Sequence, residues 1–228
     1  RDKRKETRAK NAREREARRL AWQARKGQEI LFLGTGVSGG LNHGTPTTEG
    51  EARLRAAGLP VLGNAPQVAA AMGISIPQLR FLCHARAVST VSHYKRFRRP
   101  KKTGGERLIS APQPKLKAAQ TWVLRNVLEK VVPHEAAHGF RAGRSILSNA
   151  ALHVGQQVVV NVDLKDFFPT LGYRRVRGLF RALGYPEAAA TVFSLLCTEP
   201  QTEEVELDGK RYFVAVSERR LPQGAPTS

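Results

Sequence analysis

The sequence predicts an α+β fold, and three observations carry that expectation. Val158, Val159, Val160 and Val162 form a β-branched run that ends at Asp163, as a strand buried on both faces would. Two turn signals, Thr103-Gly-Gly and Asp208-Gly209, sit between strand-like segments, and the second is the strongest short hairpin signal in the chain. Helical patterns fill the rest: capped, proline-started segments up to His84 and an amphipathic stretch over Lys115–Val132.

A chain of 228 residues can bury a sizeable core and suggests one or two domains. Lysine and arginine number 38 against 19 acidic residues, and the net charge of +19 calls for a polyanionic partner. The charge runs through the globular part as well as the tail. That favours a nucleic-acid channel over a ribosomal-type tail or a membrane-surface binder. No apolar run approaches the roughly 20 residues of a membrane span, and no signal peptide is visible. Cys83 and Cys197 are the only cysteines, so a disulfide scaffold is not expected and a reducing bacterial cytoplasm is the expected home. The chain begins without methionine and stops inside a motif, so it reads as a fragment.

Taken in order, Arg1–Lys26 is dense in charge, with Glu6–Lys10 and Glu14–Arg18 four apart. A solvated helix, or a tail that orders on RNA, is expected there. In Ile30–Leu41, Gly34, Gly36 and Gly39 match a dinucleotide-binding spacing. No helix pattern opens at the third glycine and no βαβ unit follows, so a flexible connector to about Gly50 is expected instead. Glu51–Ala57 reads as a helix stopped by Gly58; Asn64 caps Pro66–Met72 and Ser75 caps Pro77–His84. This pair of short helices leaves a helix-turn-helix DNA-binding module open as an alternative.

Arg98-Arg-Pro-Lys-Lys leads into Thr103-Gly-Gly and a strand at Arg107–Ser110. Such a hairpin projects cations from a flexible tip, as triphosphate binding requires; the bland alternative is a solvated basic turn. Leu116, Ala119, Val123, Val127, Leu128 and Val131 give Lys115–Val132 a core-facing side. Arg141, Arg144 and a helix carrying Asn149 and His153 form a second polar cluster. The last two, four residues apart, share a face, as a satisfied core histidine or as a contact surface. His134 and His138 lie too far from any cysteine pair to spell a zinc site. Beyond Thr170, Arg174–Leu183 reads as a basic helix closed by Gly184, and Pro186–Cys197 as another. Glu203–Leu207 and Lys210–Val216 form the Asp208-Gly209 hairpin, and Gly224, between Pro222 and Pro226, permits close backbone approach.

VNVDLKDFFPT (Val160–Thr170) resembles the first aspartate motif of the reverse transcriptase palm, and LPQGAPTS (Leu221–Ser228) the next palm motif. RRPKKTGGERLISAPQPKL (Arg98–Leu116) resembles the fingers motif and HGFRAGRS (His138–Ser145) the segment after it. Asn149-Ala-x-x-His153 looks specific to bacterial retron reverse transcriptases. The resemblance covers roughly Leu79–Ser228.

It implies a right-hand polymerase fold: a basic extension and connector (1–50), a helical N-terminal region (51–95), fingers (96–157) and the first part of a palm with an incomplete sheet (158–228). The implied activity is RNA-directed DNA synthesis by a retron enzyme, copying part of its own structured non-coding RNA from a guanosine 2′-hydroxyl into RNA-linked DNA. Antiphage defence with an effector protein follows from the same resemblance. Two magnesium ions are implied, with Asp163 the catalytic metal ligand and the Leu164 carbonyl facing the second ion. Lys101 and Arg107 fall on the triphosphate of the incoming dNTP, Asp166 positions it, and Phe168 blocks a 2′-hydroxyl. Gln223 and Gly224 fall beside the nucleotide, while Arg141, Arg144, Asn149 and His153 engage the cognate RNA. The family also uses a tyrosine-led pair of aspartates that this sequence lacks, so 1–228 alone is expected to bind RNA without making DNA. A group II intron-like or other bacterial reverse transcriptase, and a non-catalytic RNA-binding scaffold, are the alternatives.

Overall fold

A computed structural model describes residues 2–101 and 104–228. Helix α1 (Asp2–Gln28) exposes every described side chain and is laced by ion pairs such as Arg25–Glu29 at 3.0 Å, matching the solvated helix expected. The glycine-rich segment after it corrects the flexible-connector expectation. Ile30, Leu33, Val37 and Leu41 are buried, the Ser38 hydroxyl donates to the Gly34 carbonyl (2.6 Å), and the Ala85 N–H donates to the Leu33 carbonyl (2.7 Å). Four buried apolar side chains and paired backbone groups hold this loop against the core. No helix opens at Gly39.

Helices α2 (Thr48–Ala56), α3 (Ala65–Met72) and α4 (Ile76–Cys83) start where side-chain oxygens cap them. Thr47 accepts from the Gly50 N–H, Asn64 from Gln67 and Ser75 from Gln78. Thr47 starts α2 earlier than the apolar pattern alone suggested. Strands β1 (Val88–Ser89), β2 (Tyr94–Pro100) and β3 (Glu106–Pro112) follow, with β2 and β3 antiparallel from Tyr94↔Pro112 to Pro100↔Glu106. The tip predicted at Thr103-Gly-Gly includes Lys102 and Thr103, which lie outside the described residues. Helix α5 (Pro114–Asn126) buries Leu116, Ala119 and Val123 as expected, but ends at Asn126 rather than Val132. Val127 leaves helical geometry, a 3₁₀ turn spans Leu128–Lys130, and Pro133 disfavours helix at Val132.

Helix α6 (Ile146–Ala150) carries a Ser145–Ser148 capping box and runs into a 3₁₀ turn at Ala151–His153. The strand expected at Val158–Val162 does not form. Val158, Val160 and Val162 are 75–78% exposed, and no described strand pairs with them. Propensity alone cannot make a strand, because each backbone N–H and C=O still needs a neighbouring chain. Helix α7 (Phe167–Thr170) includes Phe168 although a proline follows it. Pro169 lies in its first turn, where a missing N–H leaves no bond unmade.

Helices α8 (Tyr173–Ala182) and α9 (Glu187–Cys197) and strands β4 (Thr202–Leu207) and β5 (Lys210–Ala215) complete the chain. The sheet order is β1-β5-β4, all antiparallel, and Asp208 and Gly209 both take positive φ in the hairpin turn the sequence predicted. Every residue from Ala188 to Cys197 is buried, and α9 packs against α3, α4, α5 and α8. A helix apolar all round is one surrounded by protein. Phe180, Tyr185 and Phe193 cluster on it with ring centroids 5.0–6.4 Å apart. The architecture is thus α+β, with a helical core flanked by a basic hairpin and a small sheet. Among the described residues no helix is long and apolar enough to cross a membrane.

Candidate active-site cleft

Arg99, Lys101 and Arg107 of the β2–β3 hairpin and the segment that follows the valine run line one cleft of about 720 Å³. Lys101 and Arg107 line it from the hairpin; Asp163, Leu164, Asp166 and Phe168 line it from that segment, and Gln223 joins them. Seven residues singled out in the sequence therefore meet in one place. Lys101 Nζ lies 3.9 Å from an Asp166 carboxylate oxygen, both partly solvated, so this pair orients more than it stabilises. Arg99, which the sequence reading missed, also lines the cleft and stands directly across the ladder from Arg107. Like charges opposed on one strand face repel. Phosphate oxygens between them would relieve that repulsion, and the alternation of Arg99, Lys101 and Arg107 along a hairpin was the available signal.

The hairpin is fastened at its base. The buried Ser110 N–H donates to the Gln223 carbonyl at 2.8 Å, and Gly224 lies so close that a Cβ there would sit 2.8 Å from Ile109 Cγ2. Close approach was the role expected of Gly224, which itself does not line the cleft. A second fastening is the largely buried ion pair between Arg96 on β2 and Glu199 just past α9. Arg96 also donates to Thr202 Oγ1 at 2.7 Å. Burial pushes the Glu199 carboxyl above its ordinary range, against the opposing pull of Arg96. Arg220 bridges Gly172 and Glu199 through its backbone, and the Leu221 N–H donates to the Leu171 carbonyl at 2.9 Å. Arg96, Glu199 and Arg220 also line an adjoining space of about 390 Å³ that shares Lys101, Arg107, Asp166 and Gln223 with the cleft. Nothing local in the sequence pairs Arg96 with a residue so far along the chain.

Asp163 and Asp166 offer the hard oxygen donors a magnesium ion takes. Among the described residues, however, no group of three metal-ligating side chains comes together. The donor set present fits part of a two-ion site and leaves the rest to be supplied. Arg141, Arg144, Asn149 and His153 do not line the cleft. Asn149 and His153 are both exposed, which removes the core-histidine reading, and Arg144 is exposed beside them in sequence. Arg141 donates to the His134 carbonyl at 3.3 Å, and the ring of His138 bonds the Ser148 hydroxyl at 3.0 Å, bracing the start of α6.

No protein-family model matches the chain. Individual proteins do. The chain is 47% identical over 228 residues to Retron Mx162 reverse transcriptase of Myxococcus xanthus, covering 98% of this chain and 47% of that protein. It is 46% identical over 178 residues to Retron Mx65 reverse transcriptase of the same organism, covering 78% of this chain and 42% of that protein. Against Retron Ec86 reverse transcriptase of Escherichia coli it is 36% identical over 179 residues, which is 77% of this chain and 49% of the other. The chain spans about half the length of these relatives. A cleft lined by the residues of the resembling motifs, on a chain whose similarity extends from end to end, places it among them: it belongs to the retron reverse transcriptase family.

Proposed function

We propose that this chain supplies the nucleotide-binding wall and one catalytic carboxylate of an RNA-directed DNA polymerase that copies part of its own structured RNA. The observation that carries the reading is the meeting of Lys101, Arg107, Asp163, Leu164, Asp166, Phe168 and Gln223 around one cleft. Lys101 and Arg107, with Arg99, would neutralise a dNTP triphosphate and orient it. Asp166 holds Lys101 toward the cleft. Phe168 would meet a 2′-hydroxyl with a bulky apolar edge, and Gln223 would support the nucleotide's base end. Asp163 and the Leu164 carbonyl would hold magnesium, which when bound supplies charge for the primer hydroxyl and the departing pyrophosphate. The remaining carboxylates are those of the tyrosine-led motif used by the family. Arg141, Arg144, Asn149 and His153 would engage the cognate RNA outside the cleft. A bacterial cytoplasm, an effector partner and a role in antiphage defence belong to the same proposal.

A non-catalytic RNA-binding scaffold is the second reading, favoured by the net charge of +19. One experiment separates the two. Asp163→Asn in the complete protein removes a ligand's charge with little change of volume. Primer extension should be abolished while RNA affinity, measured alongside, stays within about twofold. Extension that survives the substitution refutes the metal-ligand role, and a parent protein that binds RNA without extending any primer supports the scaffold.

A further inference from the structure

A second cavity, of about 70 Å³, opens behind the Arg96–Glu199 pair, between the loop after α4, strand β2 and the C-terminal end of α9. It has no part in the chemistry above. Three guanidinium groups line it, those of Arg86, Arg96 and Arg219, together with the rings of His84 and His93. Glu199 is the one carboxylate in the lining. Arg86 is exposed to solvent, so the two buried or half-buried guanidinium groups of Arg96 and Arg219 face one carboxylate and leave an excess of one. Burial of uncompensated charge is costly, and nature relieves it with a counter-charge more often than with neutral acceptors.

The donors around this space are only partly used. Arg219 gives its Nη2 to the carbonyls of Leu195 (2.8 Å) and Thr198, and its Nε to Thr198 Oγ1 (3.3 Å). Those acceptors are dipoles at the end of α9, not charges, and Nη1 makes no hydrogen bond among the described residues. Arg96 spends Nη1 and Nη2 on Thr202, Glu199 and Pro200 and leaves Nε without a partner there. His84 Nδ1 is buried and makes no hydrogen bond of good geometry among the described residues, the Ala85 backbone being its weak neighbour. Arg86 stands exposed at the rim, its guanidinium 5.9 Å from the centre of the Phe81 ring. Arg96, Arg219 and His84, each with an unused ring or guanidinium nitrogen, thus border the same cavity.

We infer that this cavity binds a single tetrahedral oxyanion, a phosphoryl group held by Arg86, Arg96, Arg219 and His84. Its volume is about that of two waters by their share of the liquid, too small for a nucleoside. Water would supply acceptors but no charge, so it leaves the excess in place. The positive field also acts on the rings: burial first, then Arg86 and Arg80, hold His84 below its ordinary pKa. His93 is lowered chiefly by burial, with Arg86 and Arg219 adding to it. An anion seated between Arg96 on β2 and Arg219, which donates to the carbonyls at the end of α9, would tie the base of the hairpin to the helical core. The phosphoryl group comes either from free phosphate or from a nucleic-acid backbone.

The test is thermal unfolding of the purified chain, titrated with sodium phosphate at constant ionic strength made up with chloride. A saturable rise is expected, about 3–6 °C at ten times the midpoint concentration, with sulfate behaving alike. Arg86→Gln and His84→Gln should each weaken the apparent affinity by about three- to tenfold, since each removes one charge-assisted or orphaned donor. A short oligoribonucleotide that displaces phosphate in the parent but not in Arg86→Gln assigns the site to backbone phosphate; failure to displace assigns it to the free ion. A rise that never saturates, or one equal in parent and both variants, overturns the inference. Should either variant unfold, the parent's phosphate-against-chloride comparison decides alone. None of these readouts depends on DNA synthesis.

Discussion

Gly224→Ala probes the fastening between the hairpin and the loop after Arg220. Gly224 has φ +107, a conformation that costs a side-chain-bearing residue roughly 1–3 kcal/mol. The added Cβ would also stand 2.8 Å from Ile109 Cγ2 and 3.5 Å from the Ser110 carbonyl oxygen. The methyl end of Ile109 can rotate aside, so the overlap itself is the smaller part. The larger part is the bond next door, where the Ser110 N–H, in a residue only 4% exposed, would lose the Gln223 carbonyl. An orphaned buried donor costs about 1–3 kcal/mol, although full loss of both terms together is not required. Taking the low end of each gives about 2 kcal/mol, or roughly 30-fold faster opening around Ser110. Hydrogen exchange of the Ser110 amide reads this directly. Gly209→Ala is the control, because Gly209 also has positive φ (+66) but nothing within 4 Å of its would-be Cβ. It should weaken the β4–β5 turn and leave Ser110 untouched. If Ser110 exchanges within twofold of the parent in Gly224→Ala, the close approach does not fasten the hairpin.

Three further outcomes are expected. Glu199, held above the ordinary 4.5 by burial, takes up a proton more readily folded than unfolded, so its contribution to stability is present below that value and lost as pH rises through the raised one. Urea melts at stepped pH should therefore show a fall in the parent that Glu199→Gln lacks; parallel curves would refute the assignment. Phe168→Ala in the complete protein should raise the efficiency for rNTP relative to dNTP by tenfold or more, and an unchanged ratio means the ring only packs. Asn149→Ala with His153→Ala should weaken handling of the cognate RNA more than of a generic primed template, whereas equal loss on both would indicate a folding role.

What could be read from the sequence was local. Asn64, Ser75 and Asp208-Gly209 act within a few residues, and the structure places each as predicted. The cleft residues were found through the resemblance to reverse transcriptase motifs, which records a shared site without needing its geometry. What escaped depended on partners distant in the chain. Ile30–Leu41 looked like a flexible connector because its glycines are visible and the neighbour that fixes it, Ala85, is not adjacent. The Arg96–Glu199 pair joins positions 103 apart, and neither residue type announces burial. The run Val158–Val162 was misread for the opposite reason: its propensity is plain, but a strand is a property of two chains side by side.

The central place of α9 has a consequence for biosynthesis. Leu33, Leu54, Val68, Leu79 and Val123 are fully buried, and α9, against which α3, α4 and α5 pack, is made long after them. At ordinary translation rates the ribosome needs roughly 8–30 s to travel from Leu33 to Cys197. Through that interval the early helices can be capped and formed, yet their apolar faces have no centre to close on. Closing contacts over so long a stretch of chain also slows the final collapse. The nascent protein therefore passes through a stage in which these apolar faces stay exposed until α9 arrives.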